Sequence, residues 1–422
     1  MLKDRYDNIL TTASQKARDG YVEAVDLMLA GQAGTVDGFT AVTVEDPGFA
    51  LGWVGLARAY HYAGNAPQFT SAMAKARALT KGLTEREVGH VEAFDLMLSG
   101  KAQQAYAAIR AHVDAHPRDA LVAQTCSSVF GLIGFSGQPG REAELLAFNA
   151  SLLQHYGDDW WALSQYAFAL CETGNLAKAD DLIDYAMMLN PRNAHGAHVR
   201  SHISYELGET EVGRWYLADW LDDYNPAGVM FTHLNWHEAL WALEQGDIDA
   251  MWRKVDAAVA PDAGSESPAI NILTDTVAIL HRATLAGVPV SAARWEGVSD
   301  YAQRAFASTG NAFVDVHAAL AHAMAGRDAA LAAIIDHPSG PAADLVPDLA
   351  LGFRHAAAEE WEQSSTALMR AMSDLARIGG SRAQRDLVEQ SFITALIKQG
   401  KTEEARAIVA LRRPILAGGL AA

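Results

Sequence analysis

The chain has 422 residues, of which 50% are hydrophobic and only 20% charged, so it can bury a large core and is not a disordered protein. Acidic residues outnumber basic ones by 51 to 33, which gives a formal net charge of −18. Because phosphate-rich partners are bound by clustered Lys and Arg, this composition argues against nucleic acid and anionic membranes as partners.

Residues 1–20 are predicted to form an N-terminal helix or arm that precedes a series of repeats. This segment has no uninterrupted apolar stretch, and no run long enough for a membrane helix follows it. The two cysteines, Cys126 and Cys171, lie in apolar surroundings and form no CxxC motif. Such cysteines are typical of buried thiols in a reducing compartment, so we expect a cytoplasmic protein.

Glycines recur at nearly constant spacing over residues 21–410, between stretches of helical apolar periodicity. These glycines are Gly64, Gly100, Gly137, Gly174, Gly208, Gly246, Gly287, Gly326 and Gly400. The gaps between them are 36, 37, 37, 34, 38, 41, 39 and 74 residues, the last close to two periods. This period is typical of helix–turn–helix repeats, in which we expect glycine to adopt the left-handed conformation at a helix end.

The repeats around Gly100 and Gly174 are the most regular. An alanine lies seven residues before each of these glycines, and a proline lies seventeen residues after it. Small residues let paired helices approach closely, and proline ends the second helix. These features resemble the tetratricopeptide repeat. They predict an all-α, right-handed superhelical solenoid of about nine to ten antiparallel helix pairs, a single domain over 1–422 with a C-terminal tail at 411–422.

Four segments further resemble the tetratricopeptide repeat protein 38 family in sequence, order and spacing. They are LTEREVGHVEAF (83–94), NPRNAHGAHVRSHISYELGE (190–209), THLNWHEALWALEQGD (232–247) and GGSRAQRD (379–386). The resemblance covers residues 20 to 405 and is most specific in HLNWH and GGSRAQRD. It implies a helical repeat fold and brings no established reaction with it.

Histidines are concentrated in two of these segments. Of the 15 in the chain, His198 and His202 form one pair spaced by four residues, and His233 and His237 form another. This spacing places each pair on one face of a helix. Counted from the repeat glycines, both pairs fall on first helices, which line the concave surface of tetratricopeptide solenoids. We therefore take these four histidines, together with Asp275 on a later first helix, as candidate catalytic residues.

Other residues on first helices are candidates for substrate binding, since Arg can hold a carboxylate and His beside Asp can exchange protons. They are His90, Trp236, Arg282, Asp315, His317, Gln384, Arg385 and Asp386. Each also has a purely structural interpretation. A histidine on a helix is more often a hydrogen-bonded core residue than a ligand, Trp236 suits a core, and Ser381 with Gln384 fits a capping box.

Two functions remain open at this stage. The first is a binding module that holds a peptide or a small polar ligand in a groove lined by His, aromatic, Asp and Arg residues. The alternative is an enzyme, a hydrolase or other acid/base catalyst, with a His-rich pocket in the solenoid. The two HxxxH pairs could hold a transition metal, but no motif requires a cofactor and no metal ligand is assigned. The composition also permits a homo-oligomer.

Overall fold

The computed structural model of the chain describes residues 2–412, and this part is almost entirely α-helical. The predicted C-terminal tail lies outside the described residues from position 413 onward. Where the sequence predicts an N-terminal helix or arm, a short antiparallel hairpin pairs β1 (Leu2–Lys3) with β2 (Ile9–Leu10), before the first helix begins at Gln15. No helix within the described range is long and apolar enough to cross a membrane.

The helices in residues 2–412 form eleven consecutive pairs, and the two helices of each pair pack against each other. The first helices are α1 (Gln15–Leu29), α3 (Ala50–Tyr62), α5 (Glu85–Leu98), α7 (Ala120–Ser127), α9 (Trp160–Glu172), α11 (Ala194–Leu207), α13 (Phe231–Glu244), α15 (Ala269–Leu285), α17 (Ala312–Met324), α19 (Val346–Ala357) and α21 (Arg382–Lys398). The second helices are α2 (Thr35–Glu45), α4 (Ala66–Ala78), α6 (Ala102–Ala115), α8 (Arg141–Tyr156), α10 (Leu176–Leu189), α12 (Thr210–Leu221), α14 (Ile248–Lys254), α16 (Ala292–Ala305), α18 (Asp328–Asp336), α20 (Trp361–Met372) and α22 (Thr402–Arg412).

Most successive first helices also pack against each other, so the pairs stack into an all-α solenoid of tetratricopeptide-like repeats. Short helical turns extend this pattern where the loops are longest. A π-helical turn (Val255–Val259) continues α14, and 3₁₀ turns cover Pro261–Ala263, Ala343–Leu345 and Leu375–Ile378. The predicted fold class is therefore confirmed.

The turns explain why the described residues contain eleven pairs, where the sequence predicts about nine to ten. All nine repeat glycines have positive φ angles, between 65° and 83°, which confirms the left-handed conformation expected for them. The gap of 74 residues contains one further pair, α19 and α20, whose turn is occupied by Glu359 at φ 57°. The pair α1 and α2, joined through Gly31 and Gly34, precedes the first glycine of the series and completes the set of eleven.

The core consists of two apolar clusters that meet at α11. Val199 and Ile203 on this helix pack with the N-terminal half of the chain, whereas Ala194 and Tyr205 pack with the C-terminal half. Apolar burial is the main driving force for folding, so a helix that belongs to both clusters fixes the two halves against each other. The histidines that α11 carries are consequently held on a rigid element.

The solenoid also closes on itself. Helix α21 packs against α15 and α11, which precede it by several repeats. The backbone N–H of Arg382 donates to Glu172 Oε2 over 2.9 Å, and Arg141 Nη2 donates to the Gly380 carbonyl over 2.7 Å. At the other end, the backbone N–H of Ala194 donates to the carbonyl of Ala30 over 2.8 Å. These contacts partly enclose the concave face of the solenoid.

Candidate functional site

Four histidines converge between α11 and α13. His198 and His202 lie one turn apart on α11, and His233 and His237 lie one turn apart on α13. All four side chains are buried, and one nitrogen from each ring lies within 4.8 Å of the corresponding nitrogen on the others. The four residues are called the histidine cluster below. The convergence expected from the sequence is therefore present in the structure.

Three Nε2 atoms of the histidine cluster point toward one another. His198 Nε2 lies 2.7 Å from His202 Nε2 and 3.0 Å from His233 Nε2. On the far side of its ring, His233 Nδ1 lies 2.8 Å from Asp275 Oδ2. An ionised carboxylate only accepts hydrogen bonds, so Nδ1 carries the proton of the neutral His233 ring. The Nε2 atom of His233 therefore presents a lone pair to the cluster.

His237 is packed by rings rather than by polar atoms. Within residues 2–412, neither of its ring nitrogens has a hydrogen-bond partner. Its ring centroid lies 4.7 Å from that of His202, 5.0 Å from His233 and 4.8 Å from Trp236. A fully buried imidazole without a partner loses hydrogen bonds to water and gains none in return. A different favourable interaction must therefore offset the hydrogen bonds that His237 loses on burial.

Burial disfavours the charged form of two rings of the cluster. Burial lowers the pKa of His198 well below its usual value, and the neighbouring His202, His233 and His237 rings lower it further. Burial also lowers the pKa of His237, again reinforced by nearby histidines. Burial raises the pKa of Asp275, and interactions with His233 and Gln384 partly offset this rise. At neutral pH the rings of His198 and His237 are therefore unprotonated, and their lone pairs are available to a ligand.

The histidine cluster forms part of the wall of a large cavity inside the solenoid. The cavity has a volume of about 730 Å³ and is bordered by the first helices α3, α5, α7, α9, α11, α13, α15 and α21, by α6 and α8, and by the loop after α7. His198 and His233 face it, whereas His202 and His237 lie behind them. Much of the remaining lining is apolar, including Phe130, Leu132, Phe135, Phe168, Val199 and Ile270. Polar groups from Gln124, Gln165, Asn271 and Gln384 are distributed among these side chains.

The predicted residues of GGSRAQRD lie beside the site but differ in their roles. Gln384 lines the cavity and forms the expected capping box with Ser381. Arg385 donates to the Gly380 carbonyl over 2.6 Å and pairs with Glu142, away from the cavity lining. Asp386 accepts a hydrogen bond from the Tyr205 hydroxyl over 2.9 Å. The latter two residues hold α21 in place.

Two further candidates form the support behind the cluster. Trp236 is fully buried and stacks on His233 with a centroid separation of 5.0 Å. Arg282 is also buried; it donates to the Tyr205 hydroxyl over 2.9 Å and to the Ala383 carbonyl over 2.5 Å. Neither residue is part of the cavity lining. Their contacts are with the protein, in contrast to the substrate contacts expected from the sequence.

The structure does not bring the remaining candidates into the cavity. His90 lies in a separate buried network, 3.0 Å from Asp119, which also binds Arg86 and His112. Burial alone would raise the pKa of Asp119, but the interaction with His90, the hydrogen bonds of His112 and His90 and the charge of Arg86 hold it well below its usual value.

The last two candidates lie at the start of α17. Asp315 accepts the backbone N–H of Gly310 over 3.1 Å, and burial raises its pKa to about 6. His317 donates from Nδ1 to the Phe313 carbonyl over 2.7 Å, and burial lowers its pKa to about 4. Both have local structural partners and neither lines the described cavity.

The sequence analysis missed two residues beside the cluster. The Phe168 ring lies 5.2 Å from that of His198 and 5.0 Å from that of His202, and it faces the cavity. His195 also lines the cavity, and burial lowers its pKa to about 4. The repeat register contained a signal for Phe168, because it precedes Gly174 by six residues, as His202 precedes Gly208.

Comparisons with known proteins add little beyond the fold. No protein-family model matches the chain. Similar solved structures include a human IFIT1 dimer with PPP-AAAA, which is 12% identical with a TM-score of 0.43 and is aligned over 100% of this chain and 98% of that one. The tetratricopeptide domain of P58(IPK) is 15% identical with a TM-score of 0.21, over 92% of this chain and 99% of that one. Naa15/Naa10 bound to HypK-THB is 12% identical with a TM-score of 0.24, over 94% and 68% respectively.

Proposed function

We propose that the protein binds a small organic molecule in its central cavity, with one end of the ligand against His198 and His233. The observation that carries this proposal is the partly enclosed cavity of about 730 Å³ with part of the histidine cluster in its wall. Small-molecule sites typically have volumes of about 300–1,000 Å³ and combine apolar walls with a few placed polar groups. An extended peptide usually lies in a fully open groove, whereas this cavity is partly enclosed where α21 returns to α11 and α15.

The lining indicates the chemical class of the ligand. Phe130, Phe135 and Phe168 offer an apolar surface, whereas Gln165, Asn271 and Gln384 offer amide donors and acceptors. The neutral imidazole of His198 can also donate or accept a hydrogen bond. Two charged residues of opposite sign, Arg58 and Glu144, also border the cavity. We therefore expect a ligand with an apolar body and a polar, uncharged or weakly acidic end, rather than a highly charged phosphate compound.

A cavity-filling substitution tests this proposal. Leu132→Trp adds a ring to the cavity wall and should abolish the thermal stabilisation that a bound small molecule produces. The matched control is Leu189→Trp on the outer face of α10, where Leu189 is partly exposed. The measurement is a thermal-shift screen of the full chain against organic acids, amides and nucleosides, with native mass spectrometry of the purified protein. Equal ligand stabilisation of both variants would contradict the proposal.

A second function, acid/base catalysis of the hydrolase type, is favoured by the pairing of His233 with Asp275. A carboxylate 2.8 Å from Nδ1 orients the imidazole of His233, and His233 borders the cavity. If a ligand of the cavity is turned over, His233→Gln should lower kcat far more than it weakens binding of the same compound. Equal losses in kcat and in binding would assign His233 to recognition alone.

Membership of the tetratricopeptide repeat protein 38 family is part of this proposal. Three of the four segments that resemble the tetratricopeptide repeat protein 38 family carry residues in or beside the site. We infer from these segments that the chain belongs to this family. Cys126 and Cys171 are buried free thiols, which agrees with a proposed cytoplasmic location.

A further inference from the structure

We propose that the histidine cluster binds one first-row transition-metal ion of the Zn²⁺ type through imidazole nitrogens of His198, His202, His233 and His237. This inference is independent of the organic ligand, because an ion can be counted without knowing what else enters the cavity. It is based on the geometry of the four rings, on the number of hydrogen-bond donors and acceptors among their nitrogens, and on the position of Asp275.

The donor set and its spacing fit such an ion. Four neutral imidazoles suit Zn²⁺, Cu²⁺, Ni²⁺ or Co²⁺, whereas Mg²⁺ and Ca²⁺ require oxygen ligands. Zn–N bonds of about 2.0–2.1 Å in a tetrahedral site separate neighbouring nitrogens by about 3.3 Å. In the cluster these separations begin at 2.7 Å and 3.0 Å, and all remain within 4.8 Å. Shifts of less than about 1.5 Å in the side chains are enough to reach that geometry.

Without an ion, the hydrogen bonds of the cluster cannot all be satisfied. Nε2 of His233 has a lone pair because its Nδ1 donates to Asp275. Nε2 of His198 lies within hydrogen-bond distance of both His202 and His233, yet it can carry only one hydrogen. Within the described residues both nitrogens of the fully buried His237 lack a hydrogen-bond partner. A single cation among the four rings would use a lone pair from each of them.

The surroundings match those of known metal-binding histidines. Such histidines commonly donate their second ring N–H to a carboxylate, which fixes the tautomer and makes the ligating nitrogen more basic. Asp275 occupies this position for His233 and adds a negative charge close to the ion. His198 and His233 border the cavity, so an ion has a route to the cluster from that side.

Metal counting on the full chain tests this site. The purified protein would be stripped with a chelator, exposed in turn to Zn²⁺, Co²⁺, Ni²⁺ and Cu²⁺, desalted and measured by inductively coupled plasma mass spectrometry. We expect about one retained ion per chain, and for Co²⁺ the visible absorption of tetrahedral nitrogen coordination. Retention of none of the four ions by the folded protein would overturn the proposal.

Variants locate the ion. His237→Gln removes a ligand that makes no hydrogen bond, so it costs the fold least and should weaken Zn²⁺ binding by more than about tenfold. The double variant His198→Gln, His233→Gln should reduce retention to background. Asp275→Asn, which changes a positioning residue, should weaken affinity by about 10–100-fold while keeping one ion per chain.

The matched control is His317→Gln, which changes a buried histidine outside the cluster, and circular dichroism would confirm that each variant is folded. A control that loses the ion as completely as the cluster variants would overturn the assignment. So would a folded double variant that retains it. Loss of ligand binding in the Leu132→Trp variant with the ion still retained would support the proposal, because the ion would then bind without the organic ligand.

Discussion

At the scale of single residues, Arg282 shows how a predicted ligand contact can be a structural one. Its guanidinium joins α15 to Tyr205 on α11 and to the Ala383 carbonyl at the start of α21. Tyr205 in turn donates to Asp386. Arg282 therefore connects the three helices that close the solenoid, and it does so where water is excluded. A buried, multiply bonded cation of this kind is costly to remove.

We predict that Arg282→Met lowers the free energy of unfolding by about 3–5 kcal/mol, because it leaves buried polar partners without their donor. The measurement is urea denaturation followed by circular dichroism. The matched control is Arg294→Met, since Arg294 pairs with the exposed Asp256 and should cost less than about 1 kcal/mol. If Arg282→Met lowers the free energy of unfolding as little as the control does, Arg282 does not stabilise the packing of α21 against α11 and α15.

The contrast between Arg282 and His198 also shows how far the site could be predicted. Helical spacing and the repeat register placed His198, His202, His233 and His237 on neighbouring faces, because both are local properties of the sequence. The register did not indicate which polar residues face the cavity and which face α21, since that depends on contacts with a distant segment. Arg282 belongs to the second class and therefore looked like a substrate contact.

At the scale of elements, the turn between α19 and α20 departs from the repeat pattern. The other turns of the glycine series use glycine at positive φ, but here Glu359 adopts φ 57°. A side chain in the left-handed region costs about 1–2 kcal/mol relative to glycine, because Cβ approaches the following carbonyl. Glu359 is exposed, so no buried contact compensates for this cost.

We therefore predict that Glu359→Gly raises the free energy of unfolding by about 0.5–1 kcal/mol, after the greater entropy of glycine in the unfolded chain is subtracted. The converse control is Gly326→Ala, which places a Cβ at φ 65° with no neighbouring atom within 4 Å. This change should cost about 1 kcal/mol through backbone strain alone. Midpoints of chemical denaturation for the two variants should move in opposite directions, and a shift of both in one direction would contradict the explanation.

The elements themselves were largely predictable, whereas their closure was not. The glycine spacing and the apolar periodicity recur at most helix pairs, so one sequence supports the prediction of helix pairs several times over. The contact between Arg141 and the Gly380 carbonyl joins residues that are far apart in the chain and occurs once. The need for glycine at position 380 is likewise visible only in the folded structure, because a Cβ there would lie 2.3 Å from the Phe313 ring.

At the scale of the whole molecule, buried histidines couple stability to pH. Burial lowers the pKa of His195 and His317 to about 4 and that of His281 to about 3, and it lowers the pKa of His198 and His237 well below 6.5. The unfolded chain takes up these protons near pH 6.5, whereas the folded chain does not. The stability that depends on neutral histidines is therefore complete above pH 6.5 and decreases as the pH falls below it.

Buried carboxyl groups act in the opposite direction. Burial raises the pKa of Glu172 to about 7 and that of Asp315 to about 6, so the folded chain holds protons that the unfolded chain has released. Burial raises the pKa of Asp275 as well. As the pH decreases toward the pKa values that these carboxyl groups have in the unfolded chain, they increasingly favour the folded state. They are fewer than the buried histidines, so the histidines determine the net direction.

We predict that the melting temperature of the metal-free protein falls as the pH decreases from 6.5 to 4.5. Each histidine in excess over the opposing carboxyl groups contributes up to about 1.4 kcal/mol per pH unit. Differential scanning calorimetry at constant ionic strength measures this dependence. His317→Gln removes one titrating group and should make the slope shallower. A melting temperature that is constant or rises over this range would contradict the prediction.

The return of α21 to α11 and α15 restricts how this protein can change over evolution. Open solenoids gain or lose repeats by duplication and deletion, because each repeat contacts only its neighbours. Here one added or deleted pair between α11 and α21 would shift Ala383 and Asp386 away from Arg282 and Tyr205, on which they depend. The number of repeats between these helices is therefore expected to stay constant during evolution. Related proteins are expected to differ in their outer helices and loops, and to keep the same number of helix pairs around the cavity.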